Sequence, residues 1–343
     1  MMSIRNCAEW HNVDATVFRD EIVPRNAPAV LRGVVARWPL IEAALQSPDA
    51  AARYLKEHDQ GRPVETFRGG ADIDGRFFYG PNVQGRNFQR AQQSLSQLID
   101  ELLSERSAAR PRALYAGAVP IPHLSQRFVS DNSLQLLAPS IMPRIWIGNA
   151  TTIPAHFDMS ANIACVAAGQ RRFTLFPPEQ VANLYVGPLD FTLAGQPSSL
   201  VDIDSPDLER YPRFAVAREH AQLAQLGPGD AIYIPPLWWH HVRSLDTFNV
   251  LINYWWDEAP KWLGSPFEAM MHAVLSIRDQ PPSVRDAWRA YFDHYVFLKG
   301  EDPAAHLPPG SRSVLGALTP ELAAHMRLFL LQSLQRNLKS RSP

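Results

Sequence analysis

Cysteine is almost missing from this 343-residue chain: Cys7 and Cys165 are the only two. They lie far apart, which excludes a disulfide framework and a cysteine-based zinc site. No stretch approaches the roughly 18 consecutive apolar residues that a membrane span needs, so no membrane partner is expected. The opening MMSIRNCAEWHNVDATVFRDEIVP has no apolar run of the kind a secretory signal carries, and none is expected. Charge of one sign is lacking too: 33 Lys plus Arg stand against 34 Asp plus Glu, a formal net charge of -1. A nucleic-acid surface usually announces itself as a basic excess, so nucleic acid is not an expected partner. Internal repeats, low-complexity segments and long charge runs are absent, and no linker is obvious. What is present, 46% hydrophobic and 20% charged residues, suits a soluble chain with a sizeable core in one large domain or two ordinary ones. A cytoplasmic enzyme is the expected class.

Thirty prolines punctuate the chain into short elements. The first 111 residues read as an α/β segment. Asp14 or Thr16 is placed to cap a short helix through Ile22, ended by Pro24. PAVLRGVV at 28–35 is β-prone, and 47–59 is a helix opened by Ser47 and Pro48. Residues 94–106 repeat apolar side chains at helical spacing. From about 112 to 260 the texture changes to short strands: RALYAGAV, RIWIGNA, TTIPAHF, NIACVAA, RRFTLF, HAQLAQL, AIYIP and FNVLINYWW. Such runs, bounded by Pro, Gly and Asn, suggest a barrel or double-sheet jelly roll, with GPGD at 227–230 as a turn. From 261 to 343 the pattern is helical. Its last helix carries Leu322, Met326, Phe329, Leu330 and Leu334 at spacings of three and four. That stripe packs either on its own domain or across a homodimer seam.

His156 and Asp158 sit two apart at the end of a strand-like run, a spacing that sends both side chains to one face. An imidazole and a carboxylate there make two thirds of the facial triad that leaves open positions on non-haem Fe(II). Alone this is weak, since a surface His beside an Asp is common. GPGDAIYIPPLWWHHV at 227–242 then supplies two histidines on a late strand. One of His240 and His241 should point inward as a third ligand and the other pack as a core aromatic, because adjacent strand residues face opposite ways. Trp238, Trp239, Trp255 and Trp256 suit packing in a barrel wall, with a stacking rim for a flat substrate as the alternative.

These ordered pieces resemble a family. PAVLRGVVARWP, IPAHFD, Asn162, GQRRFTLFPPEQ, GPGDAIYIPPLWWHHVRSL and INYWWDEAP follow one another as in the cupin-like JmjC-type 2-oxoglutarate oxygenases, especially the asparaginyl hydroxylase of hypoxia-inducible factor. The resemblance covers roughly residues 14–260; the tail resembles that family's dimerisation region more loosely. It implies a mainly β double-stranded β-helix with an N-terminal α/β segment and C-terminal helices. It also implies His156, Asp158 and His240 as ligands of Fe(II), and Asn162, Tyr115, Asn253 and Trp255 near 2-oxoglutarate. Asn162, four residues after Asp158, is expected on the same inward face by alternation. Two departures stand out. Arg171 replaces a lysine that pairs with the far carboxylate of 2-oxoglutarate, and Ile153 replaces a threonine that bonds the same group. An arginine fork suits a carboxylate, and Arg172 next to it should face outward.

The expected activity is an Fe(II)- and 2-oxoglutarate-dependent hydroxylation of a C–H bond in a protein side chain or small molecule. Two alternatives stay open: a metal-cupin isomerase or dioxygenase that needs no cosubstrate, with Arg171 holding the substrate itself, and a non-catalytic cupin binding module.

Overall fold

The structure is a computed structural model and describes residues 5–339. The chain divides into two compact units, Met1–Trp256 and Asp257–Pro343.

Eight strands build the centre of the first unit: β1 (Pro143–Gly148), β2 (Thr152–Phe157), β3 (Ala161–Ala168), β4 (Arg171–Phe176), β5 (Gln222–Leu226), β6 (Ala231–Ile234), β7 (Trp239–Ser244) and β8 (Asn249–Trp256). β5, β4, β7 and β2 are neighbours in a five-stranded sheet; β6, β3, β8 and β1 are neighbours in a nine-stranded one. All these pairs are antiparallel. The result is the expected mainly β jelly roll. Gly169 turns the chain from β3 into β4 at φ +70°, where a Cβ would lie 2.3 Å from Asn249 Oδ1, so only glycine fits both the angle and the space.

Period-2 alternation explains the layers. Phe173 and Leu175 of β4 and Val242 of β7 meet Ala164 and Val166 of β3 and Leu251 of β8 between the sheets. Each buried side chain of this size contributes roughly 1.5–3 kcal/mol. The alternate residues Ile163, Cys165, Val250 and Ile252 face the other way and pack with Leu40, Leu55, Leu98 and Leu102. Those leucines come from the helices Pro39–Gln46, Pro48–His58 and Leu95–Glu105. Ser47 and Ser94 cap the latter two, Ser94 in a capping box with Gln97. The large sheet is thus buried on both faces, which is why β3 reads as a continuous apolar run.

The N-terminal segment contributes strands to the same sheet. Ala8–His11 and Ala29–Arg32 extend it beyond β6, while Ala113–Pro120, Val64–Gly69 and Gln89–Gln93 extend it beyond β1. The last of these, QRAQQ, is a polar edge strand with no alternation to announce it. Asp14, not Thr16, caps the first helix, its carboxylate accepting from the amides of Thr16 and Val17. Pro24 does not end that segment at Ile22; the chain runs on through a π turn into a 3-10 turn, Val23–Arg25. A proline is tolerated there because a first-turn N–H has no partner to lose.

The second unit holds the helices Pro266–Ser276, Pro282–Tyr295 and Pro320–Lys339. Among its described residues the only buried ones are Pro303, Ala304 and Ala323. Phe329, Leu330 and Leu334 are exposed. No helix among the described residues is long and apolar enough to cross a membrane.

Candidate metal centre

Strand register brings the distant histidine to the first. His240 on β7 is paired directly with His156 on β2. Asp158 lies one residue past the end of β2, where its carbonyl accepts from the Leu237 amide at 2.8 Å. One ligand atom each from His156, Asp158 and His240 lie within 4.8 Å of one another. The two rings are 4.3 Å apart, and His240 Nε2 is 3.6 Å from Asp158 Oδ2.

Both imidazoles are oriented by their own strands. His156 Nδ1 stands 2.9 Å from the Pro154 carbonyl, and His240 Nδ1 stands 3.0 Å from that of Trp238. A carbonyl only accepts, so each Nδ1 carries a proton, and the Nε2 of His240 is the ring nitrogen turned toward Asp158. Burial, with His156 adding to it, pulls the His240 pKa down to about 4. A neutral ring is the form a metal needs. Two imidazoles and a carboxylate are the donor set of a facial-triad iron site, and the residues fit that ion. His241 takes no part. It is 2% exposed and sits on the outer face of β7, opposite Thr174 of β4.

Asp158 is itself held. Its Oδ2 accepts from Trp255 Nε1 at 2.9 Å and from Asn162 Nδ2 at 3.4 Å. Asn162 Oδ1 accepts from Asn253 Nδ2 at 3.2 Å, and Asn253 Oδ1 accepts from Trp146 Nε1 at 2.7 Å. Asn162, Asn253 and Trp255 are therefore brought to the site, bonded to the candidate ligand and to each other. The alternation expected for Asn162 needs correcting. Asp158 and Asn162 are not on one strand, because the chain turns at 158–160 and Asn162 belongs to β3 of the opposite sheet. They meet across the barrel. Trp146 was not foreseen, although its signal exists: Ile145 and Ile147 face the helices, leaving Trp146 inward. Trp255→Phe should weaken Fe(II) binding roughly tenfold, the usual cost of losing a group that orients a ligand. Anaerobic metal titration reads this, and unchanged affinity would count against the assignment.

Arg171 is 3% exposed and pairs with Ser244 four residues along β7 from His240. Its Nε and Nη2 are buried with no hydrogen-bond partner among the described residues. Tyr115 touches the guanidinium, and burial pushes the phenol up to about 12. Burial lowers the Arg171 pKa, with Tyr115 opposing. Arg172 points outward onto Asp204, as alternation requires. Trp238 and Trp239 are buried, and Trp256 stacks on Tyr233, so these three pack in the wall; only Trp255 of the four reaches the triad.

A family model described as a cupin-like domain matches residues 14–261. The chain belongs to the cupin-like domain family. This cupin-like protein is similar to the human HSPB1-associated protein 1, 33% identical over 149 residues, which are 42% of this chain and 30% of that protein. It is 28% identical over 264 residues to the zebrafish (Danio rerio) tRNA wybutosine-synthesizing protein 5, covering 73% of this chain and 75% of that one. It is 36% identical over 115 residues to the Drosophila melanogaster Jumonji C domain-containing protein 5, covering 33% and 27%. The family is thus of the cupin/JmjC type. The match spans less than a third of the human and fly proteins.

Proposed function

We propose that this cupin-like protein is an Fe(II)- and 2-oxoglutarate-dependent oxygenase that hydroxylates a C–H bond. What carries the reading is one pairing inside a single barrel: a two-histidine, one-carboxylate cluster and the buried Arg171 guanidinium, whose Nε and Nη2 have no hydrogen-bond partner among the described residues. The iron would supply oxygen activation driven by decarboxylation of 2-oxoglutarate. The protein's residues do the rest. His156, Asp158 and His240 hold three positions and leave others open. Trp255 and Asn162 fix the carboxylate, and the apolar interior keeps water out. Arg171 and the triad are separated by four strand residues, about 13 Å. An extended arginine covers part of that distance and a five-carbon diacid the rest, so a 2-oxo diacid of this length suits the barrel.

The test is succinate formation matched to 2-oxoglutarate loss in reconstituted protein, followed by a screen of proteins and metabolites for a +16 mass shift. Oxygen uptake without 2-oxoglutarate loss would favour a cosubstrate-independent metal cupin, and failure to retain metal a binding module. The substrate reading is a protein side chain or small molecule. Because the zebrafish relative is named a tRNA wybutosine-synthesizing protein, a tRNA pool is assayed beside that screen, and a +16 shift found there alone would overturn it. Two buried free thiols, Cys7 and Cys165, suit a reducing compartment such as the cytoplasm.

The helical unit supports a homodimer. A unit that buries only Pro303, Ala304 and Ala323 among its described residues leaves Phe329, Leu330 and Leu334 to be covered, and a net charge of -1 sets no repulsion between copies. Light scattering after size exclusion should give twice the chain mass at micromolar concentration, with Phe329→Glu shifting it to one. A monomer mass for the unaltered protein would end this reading.

A further inference from the structure

The outer face of the five-stranded sheet carries chemistry that the metal centre does not use. On the outer side of β4 and β5, beside the helix Phe214–Glu219, lies a half-open cavity of about 400 Å³. That volume is in the range of small-molecule sites. Its walls have two characters. Phe176, Phe214, Leu223 and Ile203 form an apolar floor, and Arg172, Arg218, Arg243 and Asp204 form a polar rim. The rim is unbalanced. Arg172 and Arg243 both bond Asp204, Arg243 at 3.1 Å, so one carboxylate serves two guanidinia. Arg218 makes no ion pair among the described residues. Three arginines against one aspartate leave a surplus of two positive charges beside an apolar floor. Each guanidinium has five N–H donors in a planar fork, far more than one carboxylate can accept. Beside the cavity, on the same face, His241 keeps a buried Nδ1 without a hydrogen-bond partner and stands opposite the lining residue Thr174.

We propose that this cavity is a second binding site, separate from the barrel interior, for a small organic anion: a carboxylate or phosphate joined to a flat apolar body. The anionic group lies among Arg172, Arg218 and Arg243, where bidentate forks match its geometry. The body rests against the half-buried Ile203 and Leu223, while Phe176 and Phe214 of the same lining are buried and pack edge to face 5.9 Å apart. The site is back to back with the metal centre. Along β4, Arg171 faces in and Arg172 out; along β7, His240 faces in and His241 out. It stands whether or not the metal centre works as proposed.

The experiment is calorimetric titration of the full chain with phenyl phosphate, benzoate, inorganic phosphate and phenol. Phenyl phosphate should bind more tightly than inorganic phosphate, and phenol should not bind. Comparison of benzoate with phenyl phosphate tells which anionic group the rim prefers. Arg218→Gln, an exposed position with no packing role, should weaken phenyl phosphate roughly tenfold. Asp204→Asn, which frees two guanidinia, should strengthen it several-fold. Arg171→Ala should leave it unchanged. The proposal is overturned if phenyl phosphate does not saturate by about 10 mM. It is also overturned if Arg218→Gln binds as well as the unaltered protein, or if Arg171→Ala and not Arg218→Gln abolishes binding, which would place the anion inside the barrel. Equal affinity for phenyl phosphate and inorganic phosphate would remove the apolar body from the ligand class.

Discussion

Asp158→Ala should abolish succinate formation and cut retained iron at least roughly 100-fold, more than loss of an outer supporting group costs. The fold should survive. Asp158 lies past the end of β2, and its side chain accepts from Trp255 and Asn162 and stands 3.6 Å from His240 Nε2 without belonging to a hydrophobic cluster. Removing it leaves the Trp255 N–H without its acceptor, a penalty of about 1–3 kcal/mol, or a fall in melting temperature of roughly 2–12 °C for a unit of this size. Asp158→Asn separates the two effects. It keeps the shape and an acceptor oxygen for Trp255 but loses the charge, so iron and turnover should go while melting stays near that of the unaltered protein. Iron content after anaerobic reconstitution and a thermal melt measure both. Turnover surviving in Asp158→Asn would remove the carboxylate from the metal centre and with it the facial-triad reading.

The barrel was legible because its strands obey alternation and are bounded by turn residues. RRFTLF became β4 with the bounds its letters suggest, and Phe173 and Leu175 went inward as the period demanded. The His156–Asp158 spacing was legible for the same reason. Residues joined only through register were not. That His240 rather than His241 meets His156 depends on the β7–β2 pairing, which includes an irregularity between His240 and Val242. Alternation narrows two histidines to one without saying which, and the family resemblance made that choice. Asn162 meets Asp158 for a reason that alternation does not contain, since the turn at 158–160 moves it to the other sheet. The chain from Trp146 through Asn253 and Asn162 to Asp158 joins both sheets, and no sequence window contains it. Edge strands such as Gln89–Gln93 were invisible because a polar edge takes its order from its neighbour and not from its own pattern.

Arg171→Ala should raise the apparent KM for 2-oxoglutarate by about 100-fold or more while leaving iron affinity within a few-fold. The first figure follows from the chemistry of a buried pair. Removing one partner of a buried ion pair costs about 3–5 kcal/mol because the other charge is left without compensation, and 1.4 kcal/mol is tenfold in affinity. The second follows from geometry, since Arg171 pairs with Ser244 and not with any triad residue. Without an anion, the Arg171 guanidinium has buried Nε and Nη2 donors with no partner, a cost that the folded protein bears until a carboxylate arrives. That cost predicts an opposite sign for stability. Arg171→Met, of similar length and without charge, should melt higher than the unaltered protein in the absence of 2-oxoglutarate, by about 1–4 kcal/mol. It should gain nothing when 2-oxoglutarate is added, whereas the unaltered protein should gain stability with ligand concentration. Arg172→Ala should change neither 2-oxoglutarate nor iron binding, because its side chain leaves by the other face toward Asp204. Loss of 2-oxoglutarate affinity in Arg172→Ala with retention in Arg171→Ala would mean that β4 is slipped by one residue, and every inward assignment on it, Phe173 and Leu175 included, would invert.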